Sequence, residues 1–208
     1  FRSSYRRISR VVSLLRNRPI VAAFTATATA EVRDDIIKLL ELNNPKVFIS
    51  GFDRKNLKII IEKGVNKKNY ILDYINSNKD ESGIIYCSTR KEVDSLYDLL
   101  ISKGLEVEKY HAGLNDEYRK EAQESFIYDK VNIIIATNAF GMGIDKPNVR
   151  YVIHYNMPKN IEGYYQEIGR AGRDGEDSEC IMLFSPGDVQ TQKYIIETAT
   201  ENTVRKEN

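Results

Sequence analysis

Short apolar runs and amphipathic stretches alternate along most of this chain. The apolar runs that predict β strands are Leu57–Ile61, Ile84–Cys87, Val107–Tyr110, Val131–Ala136, Val149–Tyr155 and Cys180–Phe184. Between and after them, apolar residues at helical spacing predict helices over 68–75, after Thr89, from Asn115 through Phe126, over 161–168 and over 187–197. This alternation is typical of an α/β fold, in which helices cover both faces of a parallel sheet.

The first fifty residues follow a less regular pattern. Basic and apolar positions over 1–17 predict an amphipathic helix, and the β-branched run Pro19–Phe24 predicts a buried strand. Thr29 stands where an N-cap is expected for the next helix, whose apolar residues should form a buried face. Residues 51–56 have mixed polarity and are interpreted as a linker.

Composition narrows the possible environment and partners. The 208 residues carry a formal net charge of +1, so any nucleic-acid surface must come from local placement of charge. Cys87 and Cys180 are far apart and form no C-x-x-C pattern, which disfavours a disulfide framework or a metal site. No apolar run approaches the length of a bilayer span, so we expect no membrane partner. The cysteine usage makes a reducing cytosol the expected environment.

Polar and glycine-rich segments follow several of the predicted strands. They are Thr25–Thr27, Ser88–Arg90, His111–Leu114 and Thr137–Asp145. Ligands of parallel sheets bind at the carboxyl ends of strands, and hydroxyls, arginines and backbone N–H groups suit phosphate oxygens. Taken singly, each has an ordinary structural explanation: a helix cap for Ser88, a solvated residue for Arg90, a satisfied core residue for His111. Their occurrence together favours a phosphate-binding edge of the sheet.

Two arginines three residues apart follow the predicted helix 161–168. Arg170 and Arg173 stand in the string QEIGRAGRDG, where small neighbours let a large anion approach the backbone. The guanidinium group is a permanently charged, planar fork that matches phosphate oxygens. The pair therefore has the properties needed to stabilise charge on a γ-phosphate during nucleotide hydrolysis.

Five strings in this order give the chain its family resemblance. They are FTATAT (24–29), GIIYCSTR (83–90), YHAGL (110–114), ATNAFGMGIDKPNVR (136–150) and YYQEIGRAGRDG (164–175). Together they resemble the RecQ family of DNA helicases over residues 1 to about 195. DEAD-box RNA helicases have related loops, but their arginine motif usually opens with His-Arg, so the resemblance favours DNA over RNA.

The resemblance also implies a domain organisation. Residues 1–50 would be the end of a first RecA-like lobe, and residues 51–197 a second RecA-like lobe of the P-loop NTPase type. Residues 198–208 would be a polar tail leading to a zinc-binding region. Because the chain starts without Met and has no signal-peptide layout, we interpret it as a piece of a longer protein.

The resemblance assigns roles to the residues of these strings. It implies that Arg170 and Arg173 are catalytic arginine fingers and that Gln166 and Asp145 belong to the same ATP site. It implies that Ser88, Arg90, His111, Gly113 and Thr137 contact the phosphate backbone of single-stranded DNA. Thr25 and Thr27 would couple the nucleotide state to strand binding. No residue is expected to ligate a metal.

The implied function is part of an ATP-dependent 3′–5′ DNA helicase that unwinds duplex DNA in recombination and repair. The chain lacks a G-x-x-x-x-G-K-[ST] phosphate loop and an Asp-Glu magnesium motif. ATP with Mg²⁺ would therefore be bound mainly by the missing first lobe, and this fragment alone should not hydrolyse ATP. The expected partners are single-stranded and duplex DNA and that lobe, in a monomeric protein. The resemblance implies a location in the cytoplasm, at the nucleoid of a bacterium, or in the nucleus of a eukaryote.

Two alternatives remain at this point. One is a non-catalytic nucleic-acid-binding or docking module that kept the RecA-like fold, which the two intact arginines disfavour. The other is an RNA-remodelling helicase, which the wording of the arginine motif disfavours.

Overall fold

A computed structural model describes residues 7–25, 28–49, 53–141 and 144–193. The chain divides after Asp53 into two compact units. The first contains helices α1 (Ile8–Ser13) and α2 (Ala30–Leu39). No helix in the described ranges is long and apolar enough to cross a membrane.

The predicted N-cap of α2 is confirmed, but its buried face is only partly formed. The Thr29 hydroxyl accepts a hydrogen bond from the backbone N–H of Val32, at 3.3 Å. The apolar residues of the helix, among them Ile36 and Ile37, are half-buried, and none is fully buried. The first unit therefore shields this face only in part.

The predicted buried strand over Pro19–Phe24 is wrong. These residues have no regular secondary structure, and the side chains of Ile20 and Phe24 are 100% and 94% exposed. A β strand exists only where a neighbouring strand shares its backbone hydrogen bonds. Among the described residues of the first unit there is no other strand to do so.

The second unit is built on six parallel strands. They are β1 (Leu57–Lys63), β2 (Ser82–Tyr86), β3 (Val107–Tyr110), β4 (Ile133–Ala136), β5 (Val149–His154) and β6 (Ser178–Phe184). Their order across the sheet is β1-β6-β5-β2-β4-β3, and every neighbouring pair is parallel. The six strand predictions and the α/β fold class are confirmed, with boundaries that agree within two residues.

Four helices of the second unit connect these strands. They are α3 (Lys67–Ser77), α4 (Arg90–Ser102), α5 (Asp116–Ile127) and α6 (Ile161–Ile168), and residues 186–193 are helical again. The side chains of Asn66, Thr89, Asn115 and Asn160 accept hydrogen bonds at the starts of the four helices. At α4, Thr89 and Glu92 form the reciprocal capping box that their spacing predicts.

The core lies in two layers, one on each face of the sheet. On one face, α3 and α4 pack Ile71 and Leu96 against strand residues such as Ile85. On the other, Phe126 of α5 and Ile168 of α6 pack against the opposite side of the same strands. Strand β2 is buried along its whole length because it has neighbours on both sides and helices on both faces.

The strand order brings three loops to one edge of the sheet. Strand β2 lies between β5 and β4, so the segments that follow these strands emerge side by side. Backbone hydrogen bonding continues one residue past the ends of β2 and β5. The Cys87 N–H donates to the Ala136 carbonyl at 2.8 Å, and the Tyr155 N–H donates to the Tyr86 carbonyl at 2.8 Å. This edge carries most of the residues singled out by the sequence.

Close packing between β2 and β5 generates a stability prediction. Gly83 pairs with Tyr151, and a Cβ at Gly83 would lie 1.9–2.4 Å from three atoms of that buried ring. We expect Gly83→Ala to lower the free energy of unfolding by about 1–3 kcal/mol in urea titrations, as overpacked cores do. Lys91→Ala, at an exposed position of α4, serves as the control. Equal midpoints for both variants would contradict the packing described.

Candidate functional site

The segment Gly169–Gly175, here called the arginine loop, follows α6 and touches the loop after β4. Arg170 donates through Nη1 to the carbonyl of Gly141. Arg173 donates through Nη1 to the Ile144 carbonyl and to Asp145 Oδ1, at 3.0 Å each. The two segments that the sequence predicts for one ATP site are thus adjacent. Met142 and Gly143, which stand between Gly141 and Ile144 in the loop after β4, lie outside the described residues.

Gly141 is required for this contact by its conformation and its lack of a side chain. Its φ is +130°, and a Cβ there would lie 2.2 Å from Cζ of Arg170. The guanidinium group therefore lies directly over the glycine backbone. Arg170 Nε is buried and has no hydrogen-bond partner among the described residues.

A buried polar cluster supports the arginine loop from the core side. His154, at the end of β5, bonds through Nε2 to Oε2 of Glu167 at 2.8 Å, with both side chains largely buried. The ring of Tyr86 stacks on His154 with centroids 5.5 Å apart, and its hydroxyl donates to the Phe140 carbonyl at 3.3 Å. Burial raises the pKa of Tyr86, with nearby Arg170 opposing that shift, so the phenol stays a neutral donor. The cluster joins β2, β5 and the last turn of α6.

An ion pair restrains the far end of the arginine loop. Both carboxylate oxygens of Asp174 accept hydrogen bonds from Nη2 of Arg150, at 2.7 and 2.6 Å. The hydrogen bond from Arg150 holds the pKa of Asp174 below its ordinary value. The loop is therefore fixed to the start of β5 just beyond Arg173.

A second cluster, at the start of α4 and the end of β3, contains three of the residues assigned to DNA. The Gly113 N–H donates to Nδ1 of His111 at 3.2 Å. A Cβ at Gly113 would lie 3.1 Å from Nη1 of Arg90, so the arginine passes close over the glycine. His111 is buried, while Arg90 and Gly113 are exposed.

Asp94 and Lys109 hold His111 in place, and the sequence analysis did not identify either. His111 Nε2 lies 3.3 Å from Asp94 Oδ1, and Lys109 Nζ donates to the same oxygen at 2.6 Å. Because Nδ1 of His111 accepts from Gly113, the hydrogen-bond network assigns the ring proton to Nε2. The hydrogen bond from Lys109 lowers the pKa of Asp94, against the effect of its partial burial.

Ser88 and Gln166 line one cavity of about 570 Å³ beside the arginine loop, together with Asn138, His154 and Asn156. The Ser88 N–H donates to Oδ1 of Asn156 at 3.0 Å, which leaves the serine side chain exposed at the rim. The cavity lies at the ends of β2 and β5, so it is part of the same edge.

The remaining predicted residues lie elsewhere. Thr137 is 9% exposed, and its backbone N–H donates to the Tyr110 carbonyl at 3.1 Å, so it lies between the two clusters. Thr25 is exposed in the first unit, and Thr27 lies outside the described residues.

The chain contributes no metal centre in the part that the structure describes. No group of three or more His, Cys, Asp or Glu side chains in those ranges could hold an ion. Cys87 and Cys180 are free and buried, and burial raises the pKa of Cys180 to about 12, so neither thiol is activated.

Comparisons with known proteins place this arrangement in a family. The family described as "Helicase conserved C-terminal domain" matches residues 66–175, more than half of the chain. The chain belongs to this family. The match includes the arginine loop, both polar clusters and the loop after β4.

Curated relatives add detail to that assignment. The chain is 46% identical over 208 residues to "ATP-dependent DNA helicase RecQ" of Bacillus subtilis (strain 168), covering 100% of this chain and 35% of the relative. It is 46% identical over 212 residues to "RecQ-like DNA helicase blm-1" of Caenorhabditis elegans, covering 99% and 21%. The resemblance to RecQ helicases is thereby confirmed, and the chain spans about a third or less of these relatives.

A solved structure has the same fold. A variant of Dbp5 from S. cerevisiae, bound to RNA and ADP BeF3, superposes with a TM-score of 0.72 at 25% identity, covering 91% of this chain and 51% of that one. The RecA-like fold class is confirmed by this neighbour together with the all-parallel sheet.

The Asp94–Lys109 pair generates a pH prediction. A lowered carboxyl pKa means that the pair is present at neutral pH and is lost as the pH falls through the pKa of Asp94. We expect Lys109→Met to move the NMR titration midpoint of the Asp94 carboxyl upward, toward its ordinary value. Lys103→Met, at the exposed end of α4, should leave it unchanged. An unmoved midpoint in Lys109→Met would show that the pair does not form.

Proposed function

We propose that this chain is the second motor lobe of an ATP-dependent DNA helicase of the RecQ type. The observation that carries the proposal is the contact of Arg170 and Arg173 with the backbone at Gly141 and Ile144. This contact places two permanent cations at one edge of a parallel sheet, where nucleotide phosphates are expected. The RecQ relatives named ATP-dependent DNA helicase support the choice of reaction and nucleic acid.

In the proposed mechanism, Arg173 changes partners when ATP arrives. In the structure it is paired with Asp145, whose side chain is 88% exposed, so the ion pair is open to water and weakly held. Phosphate oxygens bearing more charge can replace that carboxylate as the acceptor. As water attacks the γ-phosphorus and the bond to the β-phosphate breaks, the guanidinium groups stabilise the negative charge on the transferring oxygens.

Arg170 contributes in a different way because its side chain is half-buried, whereas that of Arg173 is exposed. It is bonded to the Gly141 carbonyl over a glycine that admits no larger residue. We propose that its charge acts from this position, while Arg173 changes partners. Gln166 lies on the exposed face of α6, about one turn before Arg170, and we propose that it contacts the nucleotide. Mg²⁺ would accompany ATP, held mainly by residues outside this chain, because no group of three or more His, Cys, Asp or Glu side chains in the described ranges could hold the ion.

The second cluster supports a grip on the DNA backbone. Arg90, exposed at the start of α4 beside the exposed Gly113, can donate to phosphate oxygens, which carry no base information. We propose that Ser88, Arg90, Gly113, His111 and Thr137 hold successive phosphates of a single strand. Because Thr137 begins the loop that contacts both arginines, a change at the ATP site can reach the strand. We propose 3′–5′ movement on the family resemblance alone.

Removing Arg173 tests the ATP site. In the complete gene product, we expect Arg173→Ala to lower DNA-stimulated ATP turnover by about a thousandfold, as loss of an arginine finger does. Affinity for single-stranded DNA should stay within about twofold, because the DNA cluster is untouched. Lys120→Ala, on the exposed face of α5, is the control with the same loss of charge. Normal turnover in Arg173→Ala would remove the arginine assignment and leave a nucleic-acid-binding module.

Removing Arg90 tests the DNA site separately. We expect Arg90→Ala to weaken single-stranded DNA binding and to reduce the slope of log affinity against log salt by about one unit, as loss of one phosphate contact does. ATP turnover without DNA should be unchanged. Lys103→Ala, at the other end of the same helix, is the control. An unchanged salt slope would show that Arg90 does not contact the strand.

A further inference from the structure

Three residues before β1, Arg54–Asn56, lie against the arginine loop; we call them the strap. Arg54 donates through Nη2 to the carbonyls of Ala171, at 3.2 Å, and Gly172. Asn56 donates through Nδ2 to the carbonyls of Gly172 and Glu176, at 2.9 and 2.8 Å. The sequence pattern predicts a linker here, yet the two side chains make three hydrogen bonds to the arginine loop and a fourth to Glu176, the residue that follows it.

The strap is itself rigid because it extends the sheet. The Ser178 N–H donates to the Asn56 carbonyl at 2.8 Å, immediately before the first β1–β6 pair, Leu57 and Ser178. Arg54 Nε donates to Asn56 Oδ1 at 3.3 Å, which fixes the two side chains relative to each other. The donors are therefore oriented before they meet the loop.

The strap acts on the middle of the arginine loop. Gly172 lies between Arg170 and Arg173, has φ +55°, and would carry a Cβ 2.4 Å from Nδ2 of Asn56. Its N–H donates to the Val149 carbonyl at 2.8 Å, and its own carbonyl accepts from both strap side chains. The backbone between the two arginines is thus held from both sides, and a shift of the strap would displace both guanidinium groups.

The strap also begins where the chain passes from one compact unit to the other. Asp53 is the last residue of the first unit and Arg54 the first of the second. A change of backbone direction at this junction acts directly on Arg54, and through one side chain on the arginine loop. Arg54 is both the residue next to the junction and a direct hydrogen-bond donor to the arginine loop.

We propose that Arg54 and Asn56 are positioning residues that link the junction between the two units to the arginine loop and so set where Arg170 and Arg173 can meet ATP. The inference rests on the proposed function, because it needs the arginines to act on ATP. The strap contacts no nucleotide in this account. It acts only through the backbone that carries the arginines.

Asn56→Asp is the most informative variant, since it keeps the shape of the side chain and replaces its N–H donors by oxygen. In the complete gene product, we expect kcat for DNA-stimulated ATP hydrolysis to fall by up to about a hundredfold, as misplacement of catalytic groups by about 1 Å can cause. KM for ATP and affinity for single-stranded DNA should stay within about twofold. Lys55→Ala, at the exposed middle residue of the strap, is the control.

Two further measurements separate a positioning role from general destabilisation. Amide hydrogen exchange over residues 169–177 should increase in Asn56→Asp, with exchange in β2 and β4 unchanged. In a background that carries both Arg170→Ala and Arg173→Ala, Asn56→Asp should lower the residual turnover much less than it does alone, because both groups that it positions are gone. Unchanged exchange, or full additivity of the two losses, would overturn the proposal.

The same data distinguish this inference from the proposed function. Normal turnover in Arg173→Ala would contradict the arginine assignment and, with it, a strap that acts through Arg173. A turnover defect in Arg173→Ala beside normal turnover in Asn56→Asp would leave the arginine assignment standing and remove the strap. Arg54→Ala provides a second variant should Asn56→Asp fail to fold, and the same outcomes apply.

Discussion

Hydrogen bonds from Arg170 and Arg173 to the backbone at Gly141 and Ile144 join two loops that are far apart in sequence. Everything proposed for this chain depends on that contact, because it converts two separate surface cations into one localised site. It needs a glycine that admits the guanidinium group and a sheet order that brings the end of β4 near α6. It also needs a core that packs α6 firmly against the sheet. The structure provides all three.

The surrounding polar groups hold the backbone on both sides of the two arginines. Glu167 of α6 is hydrogen-bonded to buried His154 of β5, and Asp174 is hydrogen-bonded to Arg150. The loop is therefore held before and after the arginines. Arg173 itself is paired only with backbone and an exposed carboxylate, which cost little to exchange. The arrangement combines a backbone held by buried and charged pairs with a guanidinium group whose ion pair is exposed to water.

Much of the fold could be predicted because its signals are local. The capping box at Thr89 and Glu92 and the apolar run of β4 are encoded within a few residues. The failed strand at Pro19–Phe24 has the same local signal, but a strand also needs a partner, which local pattern cannot supply. The arginines and the loop glycines could be identified by residue type and motif. Asp94 and Asn56 could not, since their roles come from contacts made on folding, across as many as 120 residues in the case of Asn56.

The central claim is that this lobe supplies cations to a DNA-driven ATPase. The most direct test is the rate of ATP hydrolysis by the complete gene product with single-stranded DNA, with single-stranded RNA and with neither, beside the 208-residue chain alone. The account predicts turnover that DNA stimulates in the complete product and none in the chain. Stimulation by RNA alone, or no stimulation by DNA, would contradict it.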